Sequence, residues 1–148
     1  MHTMTRIYFC GSIRGGRQLA ATYGTIIRML TYYGEVLTEH IAEPGEVSGI
    51  DLNRSDRYIH DRDMQWIRES DIIVAEVTQP SLGVGYEIGR AIDMKKPVLC
   101  LFDPSIGNRL SAMIAGSEGV DMHEYSNPDD LGEVLKNFIS EHAPGRTS

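Results

Sequence analysis

Short apolar runs alternate along the chain with longer stretches in which apolar residues recur at helical spacing. The short runs are typical of β-strands, whereas apolar positions three and four residues apart indicate amphipathic helices. The pattern predicts strands at 7–10, 35–38, 72–75, 98–102 and 119–125, and helices at 18–33, 56–70, 85–94, 108–115 and 128–141. This repeated alternation predicts an α/β fold, a three-layer sandwich with a five-stranded parallel sheet like that of flavodoxin or Rossmann folds.

No linker or repeat divides the sequence, so we expect a single domain over residues 1–148, with residues 1–4 and 143–148 flexible. Residues 42–55 contain proline, glycine and serine without apolar periodicity, which predicts a long loop. Ligands of open parallel sheets bind beyond the carboxyl ends of the strands. The segments expected at that edge are 11–17, 39–40, 76–85 and 103–111.

Charge and composition exclude several classes of protein. The chain has 148 residues, with Lys+Arg 14 against Asp+Glu 21 and a formal net charge of −7. An acidic chain lacks the basic face of a general nucleic-acid binder, and it disfavours an anionic membrane surface as partner. The apolar runs are far shorter than the roughly 20 residues that span a bilayer, and no signal peptide is evident. Cys10 and Cys100 lie inside apolar runs, which is typical of a reducing compartment. We therefore expect a cytoplasmic protein, with the nucleus as an alternative in a eukaryotic cell.

A glycine-rich turn follows the first predicted strand. It consists of Gly11, Ser12, Ile13, Arg14, Gly15, Gly16 and Arg17. Converging backbone N–H groups, a helix N-terminus and two arginines are suited to hold a phosphate. The alternative is an ordinary strand-to-helix turn with solvated arginines. A Walker A motif is absent, because Arg17 and Gln18 stand where that motif needs Lys and Ser or Thr.

Two carboxylates are candidates for chemistry. Glu87 is predicted in the first turn of a helix, where the helix dipole favours its ionised form. An ionised carboxylate is suited to act as a nucleophile. Asp63 interrupts the apolar stripe of its predicted helix, so partial burial is expected to raise its pKa and let it donate a proton. The alternatives are a glutamate that only complements the dipole and an aspartate that only caps or bridges helices. His60 and Asp63 are at metal-ligand spacing, but no third ligand is evident, so we expect no metal.

An ionised carboxylate and a protonatable one are the usual parts of glycosyl-bond cleavage. Together with a phosphate cradle, they indicate a sugar phosphate that carries a leaving group. A nucleoside 5′-monophosphate meets that description.

Four stretches of the sequence resemble a known family: YFCGSIRGGR at 8–17, LTEH at 37–40, AEVTQPSLGVGYE at 75–87 and LSAMI at 110–114. They are similar to 2′-deoxynucleoside 5′-monophosphate N-glycosidases, which belong to the nucleoside 2-deoxyribosyltransferase superfamily. The resemblance covers roughly residues 6–116, and the loop at 42–55 and the C-terminal helix match less well. It implies hydrolysis of the N-glycosidic bond of deoxynucleotides to 2-deoxyribose 5-phosphate and free base.

The resemblance also implies roles for individual residues. Glu87 would attack the anomeric carbon to form a glycosyl-enzyme that water resolves, Asp63 would assist departure of the base and deprotonate the water, and Tyr8 would hold Glu87 by a hydrogen bond. The implied substrate-binding residues are Gly11, Ser12, Ile13, Arg14, Gly15, Gly16, Arg17, His40, Ser81, Gly83, Ser111, Ala112 and Met113. Ser111 matches a serine that the neighbouring subunit lends, so a homodimer is implied, and neither a metal nor an organic cofactor is expected.

Related activities stay open. A deoxyribosyltransferase would pass the sugar to a second base, a ribonucleotide hydrolase of the cytidine monophosphate type would accept a 2′-hydroxyl, and a nucleotide sensor would not react. Ile13, apolar and beside the cradle, is expected to disfavour a 2′-hydroxyl by leaving it unpaired, at a cost of about 1–3 kcal/mol. The preferred base is not indicated by the sequence.

Overall fold

The computed structural model of the chain describes residues 4–13, 16–38 and 54–142, with the backbone alone at 16–18. Its strands are β1 (Thr5–Gly11), β2 (Gly34–Val36), β3 (Ile72–Glu76), β4 (Val98–Phe102) and β5 (Val120–Glu124). Its helices are α1 (Gly16–Tyr33), α2 (Asp56–Glu69), α3 (Leu82–Asp93), α4 (Ala112–Ala115) and α5 (Gly132–His142). The predicted loop at 42–55 falls largely outside the described residues, as does the tail at 143–148.

The five strands form one parallel sheet in the order β2-β1-β3-β4-β5, which confirms the predicted flavodoxin-like architecture. Strand order reverses between β1 and β3, where Gly11 pairs with Glu76 at the carboxyl ends of the two strands. A crevice opens at such a reversal because the chain leaves the two strands in opposite directions. Among the described residues, no helix combines the length and apolar character needed to cross a membrane.

Alternate residues of β1 enter two separate cores, because successive side chains of a strand point to opposite faces. Ile7 and Phe9 pack with α1 and α5 on one face of the sheet. Tyr8 and Cys10 pack with α2 and α3 on the other face. The second face therefore holds a phenol within the core, directly below the helices that carry Asp63 and Glu87.

Helix α2 is anchored at both ends. The Tyr58 backbone N–H donates to Oγ of Ser55 over 3.1 Å, which caps the helix N-terminus. At the other end, the Lys96 ammonium donates to the carbonyl oxygens of Arg68 (2.9 Å) and Ser70 (2.8 Å). A cation suits this position because helix carbonyls are left without partners there. The Lys96 contacts therefore join the C-terminal end of α2 to the segment that leads into β4.

The main differences between predicted and observed elements concern α3, the segment before β5, β2 and the last helix, which begins at Gly132 after a 3-10 turn at Pro128–Leu131. Helix α3 begins at Leu82 rather than Gly85, because Ser81 caps it by accepting the Val84 N–H over 3.2 Å. The predicted helix at 108–115 is reduced to the short α4, and a 3-10 turn at Pro104–Ile106 precedes it. The predicted strand at 35–38 ends at Val36, because the Thr38 hydroxyl bonds both the N–H (3.0 Å) and the carbonyl (2.7 Å) of Phe9 in place of a strand partner.

Gly34 begins β2 rather than only closing α1, and its neighbour across the sheet leaves no room for a side chain. A Cβ atom at Gly34 would lie 2.3 Å from the carbonyl oxygen of Thr5. We predict that Gly34→Ala lowers the free energy of unfolding by about 1–3 kcal/mol, because β1 and β2 must separate.

Urea denaturation of both proteins measures this loss. Gly132→Ala is the matched control, because a Cβ there meets nothing within 4 Å and the residue has helical φ and ψ. A Gly34→Ala protein as stable as the parent would contradict the close approach of β1 and β2.

Candidate active site

A buried tyrosine and a helical glutamate meet next to the reversal in strand order. Tyr8 is 1% exposed and lies in the middle of β1. Its hydroxyl donates a hydrogen bond to Oε2 of Glu87 on α3. The two residues are separated by 79 positions in sequence, so the parallel sheet is what brings them together. The contact that the resemblance implies is present in the fold.

Burial, rather than the helix dipole, controls the charge on Glu87. The predicted first-turn position was wrong, because α3 begins at Leu82 and Glu87 lies in its second turn. Burial and, to a smaller extent, the nearby charge of Asp63 raise the pKa of Glu87 to about 7, although the Tyr8 hydrogen bond and the Arg62 charge oppose this rise. Glu87 can therefore exchange its proton near neutral pH.

Tyr8 stays a hydrogen-bond donor at every pH of interest. Burial raises the pKa of its hydroxyl far above the ordinary value, and the charges of Glu87 and Asp63 raise it further. A phenol that cannot ionise always offers its proton to the carboxylate. Tyr8 therefore stabilises the ionised form of Glu87.

Asp63 shares this region with an arginine that sequence reasoning missed. Nε–H of Arg62 donates to Oδ1 of Asp63 over 3.1 Å, and Nη2 lies 3.0 Å from the same oxygen. Adjacent residues of a helix do not normally face one another, so spacing gave no reason to pair them. The available signal was the position of Arg62 four residues from Tyr58 and from Trp66, because guanidinium groups stack on aromatic rings.

The glycine-rich turn is described only in part. Gly11 is required where it stands, because a Cβ atom there would lie 2.8 Å from Cζ of Tyr23. Ser12 is buried, whereas the Ile13 side chain is 67% exposed and open to a ligand. Gly16 begins α1, so the turn leads into a helix N-terminus as predicted. The other predicted binding groups, Arg14, Gly15, His40 and the side chain of Arg17, lie outside the described residues.

Ser81 and Gly83 lie at the N-terminus of α3. The Ser81 hydroxyl caps the helix. The space around Gly83 is open, because a Cβ atom at Gly83 would come no closer than 3.8 Å to Oγ of Ser81. The first N–H groups of a helix lack carbonyl partners within it and attract anions. This end of α3 therefore presents donors near the carboxyl end of β3.

Ser111 lies in a different place from the Tyr8–Glu87 pair. It caps α4 by accepting the Met113 N–H over 3.2 Å, and both residues line a groove of about 710 Å³ beside α3. Ala112 is exposed in the same short helix. The lining of this groove is mainly apolar and does not include Tyr8, Asp63 or Glu87.

A second buried carboxylate, Glu76, was also missed. It ends β3 with no exposed surface and accepts hydrogen bonds from the Thr78 N–H (2.8 Å), the Thr78 hydroxyl (2.6 Å) and the Tyr125 hydroxyl (2.5 Å). Burial raises its pKa, and these three donors oppose that rise. The network fixes the chain that runs from β3 towards Ser81. A charged residue at the end of an otherwise apolar strand was the signal in the sequence.

His60 is engaged with groups other than Asp63. Its Nδ1 lies 2.8 Å from Oδ1 of Asp61, and its Nε2 lies 2.8 Å from the Tyr86 hydroxyl. In the part of the chain that the structure describes, no three His, Cys, Asp or Glu side chains converge as metal ligands would. The residues that do converge, Tyr8, Asp63 and Glu87 with Arg62, form a partly buried acid pair with a phenol and a cation.

Proteins of high sequence similarity carry names that refer to nucleotide hydrolysis. A "5-hydroxymethyl-dUMP N-hydrolase" of Tetraodon nigroviridis is 54% identical over 140 residues, covering 91% of this chain and 97% of that protein. The human protein of the same name is 53% identical over 147 residues, covering 96% of this chain and 83% of its own. A "putative 2'-deoxynucleoside 5'-phosphate N-hydrolase 1" of Nematostella vectensis is 52% identical over 139 residues, covering 91% of this chain and 94% of that protein.

Solved structures share the fold at low sequence identity. A CMP N-glycosidase of Clostridium botulinum superposes with a TM-score of 0.66 at 20% identity, covering 89% of this chain and 98% of that one. A 2-deoxyribosyltransferase of Bacillus psychrosaccharolyticus gives a TM-score of 0.60 at 18% identity, covering 88% and 96%. The family described as nucleoside 2-deoxyribosyltransferase matches residues 7–131, which include Tyr8 of β1 and the whole of α2 and α3. With this match and relatives more than half identical, the chain belongs to the nucleoside 2-deoxyribosyltransferase family.

Proposed function

We propose that this chain hydrolyses the N-glycosidic bond of 2′-deoxynucleoside 5′-monophosphates, releasing the free base and 2-deoxyribose 5-phosphate. The observation that carries the proposal is the Tyr8–Glu87 hydrogen bond next to Asp63, at the strand reversal where parallel sheets bind ligands. The names of the relatives support the same substrate class.

The proposed reaction has two steps. In the reacting form the acid pair holds one proton, and it is on Asp63. Ionised Glu87 forms a bond to C1′ as the bond from C1′ to the base breaks, and Asp63 passes that proton to the departing base. Water then forms a bond to C1′, the bond from Glu87 to C1′ breaks, and Asp63 accepts a proton from the water. A deoxyribosyl cation has no 2′-hydroxyl to withdraw electrons, so a single carboxylate can stabilise it.

The 5′-phosphate would be held away from the reacting carbon. The N-termini of α1 and α3 both begin at the carboxyl edge of the sheet, after the glycine-rich turn and after Ser81. Their N–H groups attract a phosphate, and Arg14 and Arg17 would add charge. Ile13, exposed beside Ser12, would face the sugar and leave a 2′-hydroxyl unpaired.

We also propose that the groove beside α3 is covered by a second copy of the chain. Leu82 is 97% exposed and Met113 is 83% exposed, and both line this mainly apolar groove. Large apolar side chains in one exposed patch are typical of protein interfaces. Ser111 lines the same groove and Glu87 of the same chain does not, which supports the proposal that Ser111 serves the site of the partner.

Incubation with a panel of nucleotides tests the function. We predict that free base and 2-deoxyribose 5-phosphate appear from deoxynucleoside 5′-monophosphates, with 5-hydroxymethyl-dUMP included, and more slowly from ribonucleotides. Faster release from CMP would favour a ribonucleotide hydrolase, and base exchange without net hydrolysis would favour a transferase. If none of the nucleotides releases its base, the result would favour a nucleotide sensor. An Ile13→Ala protein that gains nothing towards ribonucleotides would remove Ile13 from sugar selection.

The pH profile tests the role of Tyr8. Because the nucleophile must be ionised and the pKa of Glu87 is about 7, kcat/KM is expected to fall as the pH drops through that value. Tyr8→Phe removes the hydrogen bond that stabilises ionised Glu87, so the acid limb should move to higher pH. Measurement of kcat/KM between about pH 5 and 9 decides the point. An acid limb that stays in place or moves to lower pH would contradict the assignment.

Mixed dimers test the catalytic glutamate and the shared serine together. We expect Glu87→Gln to lower kcat by at least about a thousandfold, and Ser111→Ala to weaken binding of 5′-phosphorylated ligands but not of nucleosides. A dimer with one chain of each kind contains one intact site, so co-expression should restore activity at low substrate concentration.

Co-expression of Glu87→Gln with Asp63→Asn, which removes the proposed proton donor, is the matched control. Both residues belong to the same site, so no mixed dimer contains an intact one and activity should stay low. Recovery in the control, or no recovery with Ser111→Ala, would contradict the sharing of Ser111 between subunits.

A further inference from the structure

Among the described residues, Arg62 is the one cation that both contacts Asp63 and acts by its charge on Glu87. Two of its guanidinium nitrogens lie within 3.1 Å of a single oxygen of Asp63. The two side chains are only 13% and 17% exposed, unlike Arg6 and Glu35, which lie 3.9 Å apart and are about half exposed. Partial burial reduces the screening by water that makes surface ion pairs weak.

Aromatic rings fix the guanidinium in this position. The Arg62 guanidinium carbon lies 4.7 Å from the centre of the Trp66 ring and 6.0 Å from the centre of the Tyr58 ring. These residues follow one another at intervals of four, so they form a line along α2. A planar guanidinium can stack on a ring and bond a carboxylate at its edge at the same time.

We propose that Arg62 is a positioning residue, which holds the Asp63 carboxyl group beside Glu87 and sets the pH range over which the two acids work. The inference rests on the proposed roles of Glu87 and Asp63 in hydrolysis. Arg62 touches neither the sugar nor the base in this proposal, and it acts through Asp63 and through its charge.

The charge of Arg62 affects both acids in the same direction. A nearby cation lowers the pKa of a carboxyl group, and the Arg62 charge opposes the rise in the pKa of Glu87. Among the described residues, the other titratable groups that face the pair include Tyr8 and Cys10 on β1, both with raised pKa and therefore neutral. The acid limb of the activity profile reports the ionised nucleophile and the basic limb reports the proton donor, so loss of the cation moves both limbs upwards.

Three variants separate charge from geometry. In Arg62→Gln the charge is lost, and we expect both limbs of kcat/KM to move to higher pH and the maximal rate to fall about tenfold or more. In Arg62→Lys the charge is kept but the planar fork is lost, so the limbs should return towards their original pH while the maximum stays low. Arg68→Gln is the matched control: it makes the same charge change in the exposed last turn of α2 and should leave the profile in place.

A titration without substrate keeps the inference separate from the proposed function. The Glu87 carboxyl carbon, assigned with Glu87→Gln, can be followed by ¹³C NMR in proteins whose fold is checked by circular dichroism. Its midpoint should rise in Arg62→Gln, but not in Arg68→Gln. Unchanged limbs and midpoint in Arg62→Gln, or no return in Arg62→Lys, would overturn the role of Arg62. A parent protein that releases no base would overturn the hydrolase, and the NMR midpoints would still decide whether Arg62 sets the charge of Glu87.

Discussion

The hydrogen bond from Tyr8 to Glu87 is the interaction on which the rest of the site depends. It joins the first strand to a helix that follows the third strand, so it forms only when the sheet is assembled in its observed order. Because the phenol is enclosed by the core on the α2/α3 face, its proton is available to nothing but a partner within that face. The packing of the sheet thus sets the position of Glu87, the proposed nucleophile.

Opposing effects on Glu87 leave it close to its point of half-ionisation near neutral pH. Burial and the Asp63 charge favour the protonated form, while Tyr8 and Arg62 favour the ionised form. A glycosidase needs one carboxylate as a nucleophile and one acid as a proton donor, and two acids in one enclosure cannot easily both be ionised. The Arg62 cation and the Tyr8 phenol lower the free-energy cost of a negative charge on Glu87 in this partly buried place.

The architecture could be predicted from the sequence because its signals are local and repeated. The apolar runs that became β3 and β4 are covered on both faces, which is typical of central parallel strands. The start of α3 was misjudged because Gly83 and Gly85 suggested a loop, whereas a single cap by Ser81 begins the helix three residues earlier. Glu76 was missed because its partner Tyr125 is 49 positions away in sequence and is brought to it only by the fold. Arg62 was missed because adjacent helical residues are not expected to pair, although its spacing from Tyr58 and Trp66 indicated an aromatic contact.

The two cores lie on opposite faces of the sheet, and only one of them adjoins the proposed acid pair. Tyr8 and Cys10 lie with α2 and α3 in the core next to the acid pair, whereas Ile7 and Phe9 lie with α1 and α5 in a core built from apolar side chains. Substitutions that improve packing around Leu135, Phe138 and Ile139 of α5 would strengthen the scaffold on the side remote from Glu87. Stabilising substitutions can therefore be made in the α1/α5 layer without changing the side chains that surround Glu87.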